Sequence, residues 1–296
     1  MDITETAAYH GDGFQERDPR NLLFSFTSRL SKTVIFMPVC DFSGTAEEYQ
    51  FVEVPDKYKL RKQLVNLAET LEEHGTKITL VNDNEPNCFY GADRCLGIED
   101  NLLISKMASK VRKEEEINTM KYFRRHNNIT YPWKHNEFFE VSNLIPSLNG
   151  WFIGVGARMS TSTISRLKGL FNIQDFICIS HDVQHLMGVM KPLPDGKVAV
   201  RDAHIDQGEI RNKIKSAYED VFFVTETNEV TEKEAMNFVI ADDETIILPD
   251  DVPNFQQTLE DNGYKTDTVD ISEIRKGGGG ISCVCTRLHT EVRNDS

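Results

Sequence analysis

Apolar residues along this chain fall into short runs separated by stretches with helical spacing. Residues 33–39, Thr33-Val34-Ile35-Phe36-Met37-Pro38-Val39, have the length and composition of a buried strand and end in turn chemistry. After a polar loop, Leu60, Leu64, Leu67 and Leu71 recur on one helical face, which predicts a helix over residues 57–74 that stops at Gly75. Lys77-Ile78-Thr79-Leu80-Val81 then alternates as a strand does. The opening unit therefore reads strand, helix, strand.

The same order recurs to the end of the chain. Strand-like pieces at 88–97 and 101–105 run into a charged helix over 111–125, where Glu114, Glu115 and Glu116 suit the dipole of the first turn. Strands at 138–141 and 151–155, a helix over 163–170 and a strand at 176–179 form the next set. Residues 185–192, a hairpin through Pro194-Asp195-Gly196, a strand at 198–200, a helix over 208–218 and a strand at 221–224 form another. The last has 236–240, a turn at Asp242-Asp243, 245–249, a helix over 254–261 and 266–269, before a glycine-rich cysteine segment. About five units of roughly 55 residues each predict a repeated α/β architecture. With no long linker between them, residues 31–296 read as one domain, preceded by a polar, weakly periodic arm over 1–30.

Composition narrows the function. The 296 residues are 39% hydrophobic, enough for a packed core. A balance of 33 basic against 47 acidic side chains, net −14, argues against a nucleic-acid partner and favours cationic or zwitterionic small ligands. There is no apolar run of bilayer length, and the start lacks a signal-peptide pattern, so the expectation is a cytoplasmic protein with no membrane partner. The six cysteines are scattered as reduced thiols are. Cys283-x-Cys285 lacks the spacing of a zinc knuckle, and His181-x-x-x-His185 lacks the adjacent glutamate of a metalloprotease helix, so no metal is expected.

The segment Gly277-Gly278-Gly279-Gly280-Ile281-Ser282-Cys283-Val284-Cys285 is the candidate chemical centre. Four glycines lose much entropy on ordering, which suits a place where backbone must approach something closely, such as a reactive thiol. By itself it also reads as a surface loop before an edge strand with inert core cysteines. Read as a strand, it puts Cys285 on the same face as Cys283, one step deeper.

Several further segments fit one pattern. Pro86-Asn87-Cys88-Phe89-Tyr90-Gly91-Ala92-Asp93, Arg112, Glu140-Val141-Ser142-Asn143, Arg158, His185-Leu186-Met187, the stretch Met236-Asn237-Phe238 and the glycine-led Cys283 follow the order of the guanidino-group-modifying enzymes. The chain resembles this pentein superfamily of arginine deiminases, dimethylarginine dimethylaminohydrolases and amidinotransferases over roughly residues 33 to 288. That resemblance implies a five-bladed α/β propeller of ββαβ repeats and a cysteine-dependent hydrolase acting on the C–N bond of a guanidino or ureido group. The implied roles are Cys283 as nucleophile, His185 as general acid and base, and Glu140 either orienting His185 or holding a guanidinium nitrogen. Asp93, Asn87 and Tyr90 would hold the guanidino group, and Arg112 and Arg158 a substrate carboxylate. No cofactor is required.

An amidinotransferase and a non-catalytic ligand-binding propeller are the alternatives. The implied partner is a small guanidino or ureido amino acid, and a homo-oligomer is compatible with the pattern. Val141, Ser142 and Asn143 depart from the family's Gly-Gly-Asp. Met187 replaces a frequent aspartate, which suggests a soft apolar wall at the substrate. A nearby cation is expected to favour the Cys283 thiolate.

Overall fold

A computed structural model describes residues 30–98, 101–124, 128–147, 150–171, 176–194, 196–205, 208–241 and 245–288. In chain order its strands and principal helices are β1 (Lys32–Pro38), α1 (Lys57–Glu73), β2 (Lys77–Asp83), β3 (Cys95–Ile98), β4 (Asn101–Ile104), α2 (Lys113–Phe123) and β5 (Asn128–Thr130). Then come β6 (Leu144–Ser147), β7 (Gly150–Val155), α3 (Ile164–Phe171), β8 (Phe176–Ser180), β9 (Met190–Pro192), β10 (Lys197–Arg201), α4 (Glu209–Ala217) and β11 (Asp220–Val224). The last are β12 (Val239–Ile240), β13 (Thr245–Pro249), α5 (Pro253–Asp261), β14 (Lys265–Val269) and β15 (Thr286–Arg287). The polar arm expected over 1–30 lies outside the described residues except for Leu30, whose N–H donates to Ile240 O at 2.9 Å. The turn expected at Asp242-Asp243 also lies outside them.

The strands make five three-stranded sheets, ordered β15-β1-β2, β3-β4-β5, β6-β7-β8, β9-β10-β11 and β12-β13-β14. In each, the middle strand runs antiparallel to the first and parallel to the third, with the helix bridging the parallel pair. This is the ββαβ unit, five times over, in a five-bladed α/β propeller. The first blade takes its antiparallel strand from the far end of the sequence, so β15 on β1 closes the ring.

Strand periodicity explains why the middle strands are apolar throughout. In β1, Val34 and Phe36 pack towards the second blade while Ile35 and Met37 pack towards the fifth. In β4, Leu102 and Ile104 face the first blade and Leu103 the third. The same alternation puts Val198 and Val200 of β10 against the third blade and Ala199 against the fifth. Both faces of these middle strands are buried, so the polar alternation of a one-sided sheet is missing from them. Helix α1 begins where Asp56 accepts the N–H groups of Tyr58 and Lys59, buries Leu60, Leu64, Leu67 and Leu71, and ends before Gly75 at φ +83°.

Several segments expected to be strands are connections instead. Residues 138–141 make only single bridges, from Phe139 to Lys106 and Met159, before a 3-10 turn over Val141–Asn143. In residues 185–192, His185 precedes a 3-10 turn at Leu186–Gly188, and the strand begins at Met190. Cys283 lies in a helical turn, Ile281–Val284, rather than on a strand. Each segment carries a short, largely buried apolar run, and such runs do not reveal their backbone form through periodicity.

Candidate active site

The five segments that enter the first strand of each blade meet near the propeller axis. The 3-10 turns Gly91–Asp93, Val141–Asn143 and Leu186–Gly188 precede β3, β6 and β9 and touch one another in that order. The turn Ile281–Val284 precedes β15 and packs on the Gly91–Asp93 turn, and Asn237 stands just ahead of β12. Repetition of the blade thus brings Asp93, Glu140, His185, Asn237 and Cys283 together from sequence positions far apart.

Of the eight residues read from the sequence, Asn87, Tyr90, Asp93, Arg112, Arg158, His185 and Cys283 line one pocket, about 370 Å³ of space open to solvent. Glu140 stands behind it, fully buried, with Oε2 2.6 Å from His185 Nε2. Gln50 and Gln184, which carried no assignment from the sequence, complete the lining with Gly277 to Gly279.

Asp93 is held from both sides. Ser142 Oγ donates to its Oδ1 at 2.6 Å and Arg112 Nη1 donates to its Oδ2 at 2.7 Å. Burial pushes the Asp93 carboxyl up, but the charges of His185 and Arg112 outweigh it and hold the group below its ordinary range. Glu140 is balanced in the same way: burial raises it, while the His185 hydrogen bond and charge bring it down overall. Burial lowers His185, and Asp93 and Glu140 more than restore it, leaving the imidazole more basic than a free histidine.

Arg112 differs from expectation. Its Nε and Nη2 donate to Glu115 at 3.0 and 2.9 Å, its Nη2 to Tyr90 O at 2.9 Å, and its Nη1 to Asp93. Only one of a guanidinium's five N–H groups is left for a ligand. Glu115, read from the sequence only as suiting the dipole of the first turn, is fully buried as Arg112's partner. Arg158 is less committed, 16% exposed with Nη1 3.5 Å from Glu140 Oε1.

Met187, expected to wall the pocket, packs instead on the apolar clusters shared by the second, third and fourth blades. Asn143 stands where the family has an acid, and its Oδ1 accepts the N–H of Leu186 at 3.1 Å, which fixes the turn that carries His185. Tyr90 donates its hydroxyl to Ile274 O at 2.8 Å, and Asn87 donates to Tyr49 O at 2.9 Å.

The glycine run is a close-approach device. Gly278 takes φ +92°, and a Cβ on Gly279 would lie 2.8 Å from Tyr90 Cε1 and 3.1 Å from Cys283 Sγ. All six cysteines are free. Cys283 reaches the pocket while Cys285 is wholly buried, and a helical turn followed by extended chain removes the shared face expected of a strand. Burial and then the Asp93 charge push the Cys283 thiol up to about 11, opposed by a hydrogen bond from Asn237, so no cation in the ligand-free site yields a standing thiolate. Asp93, Glu140 and His185 have ligand atoms within 4.8 Å of one another, the closest grouping for a cation among the described residues. These atoms are engaged with each other, with Arg112 and with Ser142.

This arrangement of blades is the fold of the pentein superfamily. No family model matches the sequence. ArgZ, an arginine dihydrolase from the ornithine-ammonia cycle in cyanobacteria, superposes with a TM-score of 0.76 at 17% identity over 89% of this chain, which spans 41% of ArgZ. The N-terminal domain of ArgZ, covalently bonded to a reaction intermediate, is matched over 98% of its length with a TM-score of 0.75. DDAH from Pseudomonas aeruginosa, as a mutant complexed with citrulline, has a TM-score of 0.70 at 18% identity, covering 89% of this chain and all of DDAH. In sequence, the uncharacterized protein ZK1307.1 of Caenorhabditis elegans is 23% identical over 245 residues, 79% of this chain and 85% of that protein.

Proposed function

We propose that this chain is a cysteine hydrolase that cleaves a C–N bond in the guanidino or ureido group of an arginine-like amino acid. The observation that carries the reading is Cys283 in one pocket with a His185–Glu140 pair at 2.6 Å and a hydrogen-bonded Asp93. The fold shared with ArgZ, an arginine dihydrolase whose N-terminal domain has been captured covalently bonded to a reaction intermediate, supports it.

In this reading Asp93 accepts N–H groups of the substrate, and Arg112 keeps that carboxylate charged and oriented rather than binding substrate itself. Arg158 is the arginine free to meet a substrate carboxylate. Binding a cationic guanidinium beside Sγ lowers the acidity barrier of Cys283, whose thiol is otherwise pushed up to about 11. Cys283 releases its proton to solvent, and the thiolate attacks the guanidino carbon. His185, basic enough to hold a proton near neutrality, gives it to the leaving nitrogen as the C–N bond breaks. The same imidazole next takes a proton from water, whose oxygen displaces Cys283 and releases a ureido or carbamoyl product. Glu140 keeps Nε2 of His185 oriented throughout. Turnover should fall on the alkaline side as His185 loses its proton, above the ordinary histidine range.

Purified protein incubated with arginine, methylated arginines and citrulline should release ammonia, methylamine, citrulline or ornithine, and Cys283→Ser should release none while still binding substrate. No product from any of these would remove the hydrolase reading. A new guanidino compound formed only when glycine or ornithine is added would establish the transferase instead.

A further inference from the structure

Asn237 is not among the residues that line the pocket, yet several hydrogen bonds tie it to the cysteine turn. Its Oδ1 accepts from Ser282 N at 2.9 Å, Ser282 Oγ at 2.6 Å and Cys283 N at 3.2 Å, and its backbone carbonyl accepts Ser282 N at 3.2 Å. Backbone N–H groups only donate, so the atom they face is the amide oxygen. The other atom, Nδ2, is therefore the donor that lies 3.1 Å from Cys283 Sγ and 3.3 Å from Glu234 Oε2. The turn Ile281–Val284 has no local side-chain cap, and Asn237 supplies one from the neighbouring blade.

Two features outside the reaction itself are explained by this arrangement. A Cβ at Gly280 would lie 2.8 Å from Asn237 Cβ, so the last glycine of the run admits Asn237 rather than substrate. Glu234 sits at φ +59°, a conformation uncommon for a residue with a side chain, and its carbonyl accepts Asn237 N at 2.8 Å. That turn aims the Glu234 carboxyl at the same Nδ2.

We propose that Asn237 is a positioning residue that fixes Cys283 in its attacking orientation and supplies the hydrogen bond that receives its thiolate, with Glu234 locking the direction of the Asn237 amide. This rests on the reading of Cys283 as the nucleophile. A hydrogen bond to an anionic sulfur is stronger than one to the neutral thiol, so Nδ2 favours ionisation. The Glu234 charge opposes it, as the raised Cys283 thiol reflects. The two residues must therefore move thiol reactivity in opposite directions, which a purely structural role would not do.

The test is the rate of Cys283 alkylation by iodoacetamide between pH 7 and 10 without substrate, followed by peptide mass spectrometry, with exposed Cys178 as the internal reference. Asn237→Ala should slow labelling at pH 8 roughly three- to tenfold, because a lost charge-assisted bond cuts the thiolate fraction and only part is regained in nucleophilicity. Asn237→Asp should slow it further by placing a second carboxylate beside Sγ. Glu234→Gln, which keeps an acceptor for Nδ2, should speed it. Unchanged rates in the folded Asn237 variants would overturn the proposal, and if those variants do not fold, an unchanged or slower Glu234→Gln would overturn it. Because labelling needs no substrate, this failure is separate from retained turnover in Cys283→Ser, which would remove the nucleophile itself.

Discussion

Arg112 and Lys191 are both basic side chains inside the propeller, 4% and 1% exposed, and the protein treats them oppositely. Arg112 sits between Asp93 and Glu115, with Tyr90 O on its remaining edge, and those carboxylates more than offset the effect of burial, so it stays charged. Lys191, in the strand β9, has no hydrogen-bond partner for Nζ among the described residues and stands 5.5 Å from the centre of the Phe238 ring. Burial, followed by the charge of Arg287, pushes its ammonium down to about 7. A guanidinium cannot shed its proton and must be paired, whereas an amine can be buried neutral. Charge is thus kept where the site needs a fixed carboxylate and surrendered elsewhere in the ring.

The largest effect should come from breaking the paired cation. Arg112→Met strips the buried Glu115 of its cation and leaves Asp93 with His185 and Ser142 alone, and removal of one partner from such a buried group costs about 3–5 kcal/mol. Urea unfolding at pH 7 measures it, and turnover should be lost with it as Asp93 moves or takes up a proton. A loss below about 1 kcal/mol would mean that hydrogen bonds such as that from Ser142 suffice to keep Asp93 buried, and the contrast with Lys191 would collapse.

Lys191→Met should do the reverse and leave stability equal or higher, since an apolar chain of similar length replaces a group with no partner. The sign of the pH effect separates the two cases. Lys191 takes its proton near 7 in the folded protein and near its ordinary 10.5 when unfolded, so between those values the unfolded chain holds the extra proton. Stability then rises with pH across that window, by up to about 1.4 kcal/mol per pH unit, and is lowest below it. Wild-type protein should gain stability between pH 7 and 9 from this group, and Lys191→Met should lose that component of the slope. Parallel slopes in the two proteins would show that Lys191 keeps its charge.

The same contrast marks what could be read from the sequence. Blade order, the middle strands and α1 were legible because hydrophobic spacing and the glycine stop at Gly75 act locally. Seven of the residues that line the pocket were legible through the resemblance, since short motifs keep their order in the chain, whereas Gln50 and Gln184 lie outside those motifs. Partnerships were not. Nothing near Glu115 says that it is buried on Arg112, and nothing near Ser142 points to Asp93, 49 positions away. Asn237 was noted as part of a motif without a role, because its partner turn lies 46 residues on and in the first blade. The helical form of the cysteine turn was hidden for the same reason, its cap being supplied from another blade. Lys191 gave no signal at all, since a lysine in a strand pattern ordinarily faces water.

Arg158 sharpens the comparison from the other side, as a cation neither locked nor abandoned. Its 3.5 Å approach to Glu140 is long, and that carboxylate is already served by His185 and by the N–H of Ala108. Removing it therefore strands no buried charge. Arg158→Gln should change stability by less than about 1 kcal/mol, the range of weak ion pairs, while raising KM for an amino-acid substrate with kcat largely kept. Unfolding and steady-state kinetics on the one variant test both halves. A stability loss approaching that of Arg112→Met would make Arg158 a second structural partner of the carboxylates. In that case the pocket would have no arginine left for a substrate carboxylate, and a substrate without that group would follow.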